Sequence, residues 1–218
     1  MLHAGAPDVR RHVLFISRQH PPEVTGTHAL EPFIAEVLGD SPLAQDFRRT
    51  FRIHVVPLMN PDGVDLGHWR HNTGGVDLNR DWVAFHQPET RAVRDAMAQI
   101  LAPEGSELWF FADFHSTRRD VFYTLDRALE TRPADVLDPW LDHIRTSLPD
   151  YEVEDDPSDG GYGVVSRDWA WREYGAPGMV YEVGDTTPRA LIREVAETAA
   201  RGTMEILLER AVEEGDGG

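Results

Sequence analysis

Cysteine and lysine are both absent from this chain of 218 residues, which also has no long hydrophobic run. Without cysteine, the protein can form neither disulfides nor thiolate metal sites. All 21 basic residues are arginine, a bias that indicates a skewed genome or a salt-adapted host rather than a function. Residues 1–9 lack the apolar stretch of a secretory signal, and no segment is long enough to span a bilayer. We therefore expect a cytoplasmic protein.

Positive charge is scarce as well, since the formal net charge at pH 7 is -17. Such a charge repels phosphates, so we expect neither nucleic acid nor an anionic membrane as a partner. The composition, with 41% apolar and 27% charged residues, is ordinary for a globular protein. A chain of this length can bury one sizeable core, and we expect residues 1–218 to form a single domain.

Apolar runs of strand length alternate along the chain with segments of helical spacing. The strand-like runs are 13–17, 51–58, 108–114 and 179–183, and the main helical segments are 27–38, 88–101, 134–148 and 188–212. This alternation predicts an α/β sheet that is covered by helices on both faces. Residues 64–86 keep no apolar period, and so long a loop in a compact domain is usually functional.

Three potential zinc ligands follow predicted strands. His20 and Glu23 come shortly after the run 13–17, and His115 directly follows the run 108–114. Ligands of α/β sheets gather at the carboxyl ends of the strands, so we expect these side chains to meet. Two imidazoles and one carboxylate leave a fourth zinc position open, as in catalytic rather than structural sites. The alternative for His115 is a strand-terminal histidine bonded to the backbone.

The His-x-x-Glu spacing alone is weak evidence, because it occurs three times in the chain. His28 and Glu31 lie one turn apart on a predicted helix, where a surface hydrogen bond explains them. His86 and Glu89 flank the start of another helix, where Glu89 can interact with the helix dipole. Only the pair described above stands at the end of a strand and is followed by further polar motifs.

The long loop and the last strand supply further polar groups. Asp77 can accept the free N–H of a ligating histidine, although capping of the loop explains it equally well. Arg80, which follows Asn79, is suited to bidentate binding of a carboxylate. Glu182 lies in the apolar run 179–183, which should raise the pKa of its carboxyl group, as a general base requires. The alternative is that Glu182 forms a salt bridge with a nearby arginine. This inventory favours a zinc peptidase.

The motifs, taken in order, resemble those of the carboxypeptidase A-like zinc metallocarboxypeptidases, in particular their shorter bacterial and cytosolic members. In chain order they are His-x-x-Glu, Asn-Pro-Asp-Gly, Arg-x-Asn, Gly-Val-Asp-Leu-Asn-Arg, a strand-borne His and Tyr-Glu-Val-Gly-Asp, and the resemblance runs over about residues 12–212. It implies a three-layer α/β/α sandwich with a mixed, mostly parallel sheet. It also implies one zinc per chain and hydrolysis of the C-terminal amide bond of peptides.

The resemblance assigns a role to each matching residue. The zinc ligands would be His20, Glu23 and His115, with Asp77 supporting the first histidine; Asn79 and Arg80 would hold the terminal carboxylate of the substrate, Arg70 would polarise the scissile carbonyl, and Glu182 would be the general base. Tyr162 is our candidate for the family's mobile substrate-binding tyrosine, although Trp169 competes for that position. Arg167, near where the family lines its side-chain pocket, would favour an acidic C-terminal side chain.

One departure from the family lies at the start of the chain. Only 19 residues precede His20, where family members usually have two or more additional strands. The chain is therefore a catalytic fragment that lacks N-terminal strands, has a misassigned start, or uses an unusually small sheet.

Two other functions fit part of the motif set. A zinc amidohydrolase of the succinylglutamate desuccinylase and aspartoacylase type would act on N-acyl amino acids, and Asn79 with Arg80 suits that substrate too. The sequence Arg18-Gln19-His20-Pro21-Pro22-Glu23 resembles the peptidase version, since the deacylases tend to carry Gly-x-His-Gly-x-Glu. A catalytically silent domain that binds a carboxylate is the third hypothesis, but such a domain would often have lost a ligand or the base.

Overall fold

The computed structural model describes residues 1–157 and 165–215, in which a mixed sheet lies between two helical layers. Its strands are β1 (Leu2–Ala4), β2 (Arg11–Ser17), β3 (Phe51–Val56), β4 (Glu107–Thr117), β5 (Val121–Thr124) and β6 (Gly178–Gly184). They are arranged in the order β1-β3-β2-β4-β6-β5. The four central strands are parallel, and β1 and β5 pair antiparallel at the two edges. The predicted mixed, mostly parallel sheet is confirmed.

Helices cover both faces of the sheet. They are α1 (Val24–Val37), α2 (Pro42–Thr50), α3 (Pro61–Asp65), α4 (Pro88–Ile100), α5 (Leu137–Ser147), α6 (Ser166–Tyr174) and α7 (Arg189–Gly215). One apolar cluster joins the sheet to α1, α2, α5 and α7, and a second joins the opposite face to α4 and α6. Within the described part of the chain, no helix combines the length and apolarity needed to cross a membrane.

The alternation of side chains along β4 places polar groups on one face of the sheet. Phe110, Ala112 and Phe114 belong to the cluster under α1 and α7, whereas Phe111 belongs to the cluster under α4 and α6. Because successive side chains of a strand point to opposite faces, the two polar residues 113 and 115 follow Phe111 onto the α4/α6 face. The polar end of β4 therefore lies on the side of the sheet that carries the long loop.

The structure departs from the sequence predictions at short elements. The strand β1 and the helix α2 were not predicted, although Ser41 caps α2 by accepting from the backbone N–H of Ala44 at 3.2 Å. The Asn-Pro-Asp-Gly segment is the start of the short helix α3 rather than a simple turn. Asn60 caps this helix by accepting from the N–H of Gly63 at 3.0 Å, and Pro61 suits its first position. Each of these elements is too short for a hydrophobic period to reveal.

Candidate active site

The three predicted zinc ligands meet at the carboxyl ends of β2 and β4. The carboxylate of Glu23 bridges the two imidazoles, with Oε1 2.6 Å from Nδ1 of His20 and Oε2 2.7 Å from Nδ1 of His115. One ligand atom from each of the three lies within 4.8 Å of the other two. Both histidines are buried, and the side chain of Glu23 is 14% exposed.

A second carboxylate contacts the outer nitrogen of each imidazole. Nε2 of His20 lies 2.8 Å from Oδ1 of Asp77, and Nε2 of His115 lies 2.9 Å from Oδ2 of Asp113. A carboxylate can only accept, so both nitrogens of each ring donate: Nε2 donates to Asp77 or Asp113, and Nδ1 donates to Glu23. The contact of Asp77 was predicted from the sequence, whereas that of Asp113 was not. The position of Asp113 two residues before His115, on the same strand face, was the available signal.

The electrostatics of the cluster follow from these contacts. Burial lowers the pKa of His115, but the carboxylates of Asp113 and Glu23 outweigh it, so this pKa lies well above 6.5. Burial acts in the opposite direction on Glu23, where the two imidazoles prevail and lower the pKa to about 2. The pKa of Asp77 lies below its usual range because the contact with His20 outweighs burial. The site therefore holds carboxylates in their charged form and attracts positive charge.

The donor set fits zinc. A bound zinc ion would take the place of the two Nδ1 protons that face Glu23, while the Nε2–H groups would still donate to Asp77 and Asp113. Two imidazole nitrogens and a carboxylate oxygen are the ligands that catalytic zinc takes from proteins.

The long loop brings three more predicted residues to this edge of the sheet. Nε of Arg70 donates to Oδ2 of Asp77 at 2.7 Å, and Oδ1 of Asp77 accepts the backbone N–H of Asn79 at 2.9 Å. Arg80 is exposed and forms no ion pair with any described residue; its Nη1 donates to the carbonyl of Asn79 at 2.8 Å. Asn79 is buried and accepts the backbone N–H of Ser166 through Oδ1 at 3.1 Å.

Two buried polar side chains give the loop its shape. Oδ1 of Asn72 accepts the backbone N–H groups of Gly74 and Val76. Asp81 accepts the hydroxyl of Thr90 and two backbone N–H groups just before α4. The contacts of Asn72 shape the turn before Asp77, and those of Asp81 fix the chain where it enters α4, beyond the site residues of the loop.

Glu182 lies beside His115, because these two residues are register partners in the parallel pairing of β4 with β6. Burial raises the pKa of Glu182; His115 opposes this shift, and Glu23 and Asp113 add to it. Its Oε2 atom is buried and has no hydrogen-bond partner among the described residues. The expectation of a raised pKa is met, and no salt bridge involving Glu182 is found among the described residues.

Tyr162 and Arg167 are the two residues that were predicted to bind or select the substrate. Tyr162 lies outside the described residues. Arg167 is buried on α6, where Nη1 donates to the carbonyl of Thr124 at 2.9 Å and Nη2 lies 2.9 Å from Oδ1 of Asp168. Trp169, the competitor for the role of the mobile tyrosine, is buried in the core under α4 and α6.

Gly26, which was not predicted, sets the position of His115. A Cβ atom added to Gly26 would lie 2.6 Å from the carbonyl oxygen of His115. This close approach is fixed by Ser116, whose hydroxyl accepts the N–H of Gly26 at 2.9 Å and the hydroxyl of Thr25 at 2.7 Å. The start of α1 therefore packs directly against the backbone of the proposed ligand, which requires glycine at this point.

Comparisons with known proteins agree with this geometry. The family model described as zinc carboxypeptidase matches residues 3–197. The chain is similar to cytosolic carboxypeptidase 2 of Xenopus tropicalis, with 33% identity over 118 residues, which make up 52% of this chain and 12% of that protein. The chain thus spans only a small part of the length of this curated relative.

Solved structures show the same fold. A metallo-carboxypeptidase from Burkholderia cenocepacia superposes with a TM-score of 0.76 and 21% identity, covering 95% of this chain and 60% of that chain. A metallo-carboxypeptidase from Pseudomonas aeruginosa, in complex with (2-guanidinoethylmercapto)succinic acid, gives a TM-score of 0.70 and 20% identity over 95% and 60% of the two chains. Since the family match covers most of the sequence, the protein belongs to the zinc carboxypeptidase family of zinc-dependent hydrolases.

Proposed function

We propose that this protein is a carboxypeptidase that hydrolyses the C-terminal amide bond of peptides, with zinc held by His20, Glu23 and His115 and with Glu182 as general base. The observation that carries the proposal is the environment of Glu182. Its carboxylate is largely buried beside His115, has a raised pKa, and keeps one oxygen without a partner among the described residues. A structural glutamate at such a position would be expected to have an arginine partner.

The proposed reaction assigns both proton transfers to Glu182. His20, Glu23 and His115 would hold a zinc ion, which would supply Lewis acidity to a water molecule and to the neighbouring carbonyl oxygen. Glu182 takes a proton from the attacking water as the new C–O bond forms, and then gives it to the amide nitrogen as the C–N bond breaks. A carboxyl group with a raised pKa suits both steps, because it can accept and release a proton near neutral pH. The products are a free amino acid and a shortened peptide.

Arg70 is the proposed stabiliser of the oxyanion that develops on the scissile carbonyl. Its Nε is held by Asp77, which in turn contacts His20. This contact fixes the plane of the guanidinium and leaves the Nη groups to donate to the substrate. A preorganised cation of this kind lowers the barrier by several kcal/mol in other enzymes, of the order of 3 kcal/mol for one donor.

Asn79 and Arg80 are the proposed binding groups for the terminal carboxylate. Arg80 is exposed and has no carboxylate partner among the described residues of this acidic protein, which supports a role toward an external anion. We further propose Tyr162 as a substrate-binding group and Arg167 as a selector of acidic C-terminal side chains. Comparable turnover of peptides ending in glutamate and in leucine would contradict the role of Arg167. The relative's name supports a cytoplasmic location, which we also propose.

The test compares peptides with N-acyl amino acids as substrates of the zinc-loaded protein. We expect release of the C-terminal residue from peptides with a free carboxylate and none from peptides with a C-terminal amide. Glu182→Gln should lower kcat by at least about 10³-fold while zinc binding is kept. Glu107→Gln, at the opposite end of β4 and partly exposed, is the control and should leave kcat unchanged. Hydrolysis of N-acyl amino acids alone would indicate the amidohydrolase, and no turnover of either class would indicate a binding domain.

A further inference from the structure

The carboxylate of Asp113 is fully buried, and it is the centre of a polar network in the core. Its Oδ2 atom receives three contacts: Nε2 of Gln19 at 2.5 Å, Oγ of Ser166 at 2.5 Å, and Nε2 of His115 at 2.9 Å. Burying a carboxylate costs several kcal/mol unless it is compensated by donors. Three donors from three separate segments compensate Oδ2, whereas Oδ1 is buried without a hydrogen-bond partner among the described residues.

The network fixes the orientation of the Gln19 amide. The indole N–H of Trp82 can only donate, and it does so to Oε1 of Gln19 at 2.8 Å. The NH₂ end of Gln19 must therefore face Asp113. The side-chain amide of Asn60 in turn donates to the carbonyl of Gln19 at 3.1 Å, so both the backbone and the side chain of this residue, which immediately precedes His20, are held.

The same network fixes the proton on His115. Because Oδ2 of Asp113 can only accept, Nε2 of His115 keeps a proton, so Nδ1, which faces Glu23, is the nitrogen that would release its proton to bind a metal. Without Asp113, the neutral imidazole could place its proton on Nδ1 and donate to Glu23. In that tautomer the nitrogen could no longer bind a metal.

Ser166 extends the network to the loop. Its hydroxyl donates to Asp113, and its backbone N–H donates to Oδ1 of Asn79 at 3.1 Å. Ser166 is the first residue of α6 and is fully buried. Because Oδ1 of Asn79 accepts this backbone N–H, the side-chain NH₂ group of Asn79 is left to donate to a ligand.

We propose that Asp113 is a positioning residue for the zinc ligand His115, and that Ser166 joins this ligand and the carboxylate-binding residue Asn79 into one buried unit. The part that concerns Asn79 rests on the proposed function, whereas the part that concerns zinc does not. The three residues belong to separate elements: His115 lies on β4, Asn79 on the long loop and Ser166 on α6. A shared network holds the metal site and the substrate site in a constant relative position.

The chain contains a matched control for both residues. Asp81 is also a buried aspartate, 3% exposed against 0% for Asp113, and it too accepts three donors. One of these is the hydroxyl of Thr90, which is as buried as Ser166 and donates at 2.6 Å. Neither Asp81 nor Thr90 contacts a proposed zinc ligand. Asp81→Asn and Thr90→Ala therefore reproduce the loss of a buried polar contact without touching the metal site.

The experiment measures zinc affinity by competition with a chelator, which needs no catalytic turnover. We expect Asp113→Asn to weaken zinc binding about 10–100-fold, whereas Asp81→Asn stays within about twofold of wild type. Ser166→Ala should weaken zinc binding a few-fold and, by releasing Asn79, raise KM for peptides about tenfold with a smaller effect on kcat. Thr90→Ala should change neither. If Asp113→Asn does not fold, the Ser166→Ala and Thr90→Ala pair decides the question.

A spectroscopic signature separates positioning from general stability. In the zinc-loaded wild type, ¹⁵N NMR of the imidazoles should show a slowly exchanging proton on Nε2 of His115, and Asp113→Ala should lose it. Equal zinc affinity in wild type and Asp113→Asn, or equal losses in Asp113→Asn and Asp81→Asn, would overturn the proposal. If the variants change zinc affinity as expected but the wild type shows no peptidase activity, the role of Asp113 is supported and the proposed function is contradicted.

Discussion

Two clusters of histidines lie on the same face of the sheet, in opposite surroundings. His20 and His115 stand at the carboxyl ends of β2 and β4, where each imidazole lies between two carboxylates. The other cluster crosses the edge formed by β1, β3 and β2. There, Nδ1 of His54 lies 2.8 Å from Nδ1 of His3, and Nε2 of His54 lies 2.9 Å from Nδ1 of His12.

The charged neighbours of the edge cluster are arginines rather than carboxylates. Burial, then Arg10 and Arg52, lowers the pKa of His12 to about 4, and burial with the neighbouring histidines and Arg52 lowers that of His54 to about 3. The edge histidines are thus neutral near pH 7 and hydrogen-bond to one another. Both clusters contain buried histidines, but only His20 and His115 have carboxylates on both sides of each ring. Those carboxylates fix the rings and supply the negative charge that a cation at the proposed metal site requires.

The largest effect is expected when one histidine of the proposed zinc cluster is replaced. The same replacement in the edge cluster is the control. His115→Gln should reduce the zinc content from one ion per chain to none, because the remaining two ligands cannot hold the ion in competition with buffer. His54→Gln, an equally buried histidine changed in the same way, should keep one zinc per chain. Elemental analysis of the purified variants checks both. Zinc loss in both variants would mean that the edge cluster supports the metal site through folding, and the comparison would fail.

A second variant tests whether the packing of α1 against His115, as well as the neighbouring carboxylates, contributes to zinc binding. Gly26→Ala places a methyl group against the backbone of His115, at 2.6 Å from its carbonyl oxygen, so α1 or β4 must move. We expect a loss of about 1–3 kcal/mol in the free energy of unfolding, together with weaker zinc binding. Gly39→Ala, where the nearest atom is 3.2 Å away, is the control. Weaker folding with unchanged zinc affinity would show that the ligand geometry does not depend on this packing.

The layers, the central strands and the cluster of His20, Glu23 and His115 could be predicted because they carry strong local signals. Strand-length apolar runs and the polar residues that end them located His20 and His115, and the loop motif located Asn79. Asp113 was missed because it lies inside the apolar run 108–114, which predicts a strand but gives no role to a polar residue within it. Gly26 was missed for a different reason. The need for glycine there arises from the approach of α1 to β4, which exists only in the folded protein.

The edge cluster should make the protein sensitive to acid. The pKa values of His12 and His54 lie below 6.5 in the folded state, so the unfolded chain takes up protons first as the pH falls. Stability is therefore full above about pH 6.5 and is lost as the pH falls toward 4. The limiting slope is about 1.4 kcal/mol per pH unit for each histidine. Urea denaturation between pH 7 and pH 4 measures this slope, using the zinc-free protein so that metal release does not contribute.

His54→Gln supplies the matched control for the acid sensitivity. If the cluster is responsible, this variant should show a flatter dependence of the unfolding free energy on pH than the wild type does. A variant with an unchanged slope would assign the acid sensitivity to other groups. Zinc affinity should be the same in both proteins at pH 7, since the edge cluster and the metal site share no contact among the described residues.

The smallest effect is expected at the exposed end of the edge cluster. His3 is exposed, and its charge is one of the causes that lower the pKa of His54. His3→Asn should change the unfolding free energy at pH 7 by less than about 0.5 kcal/mol, because solvent can replace the lost contact. Removing its charge raises the folded-state pKa of His54 toward 6.5, so the midpoint of acid unfolding should move slightly to lower pH. A large loss of stability at pH 7 would instead mean that the three imidazoles act as one unit, in which the buried members depend on the exposed one to complete their hydrogen bonds.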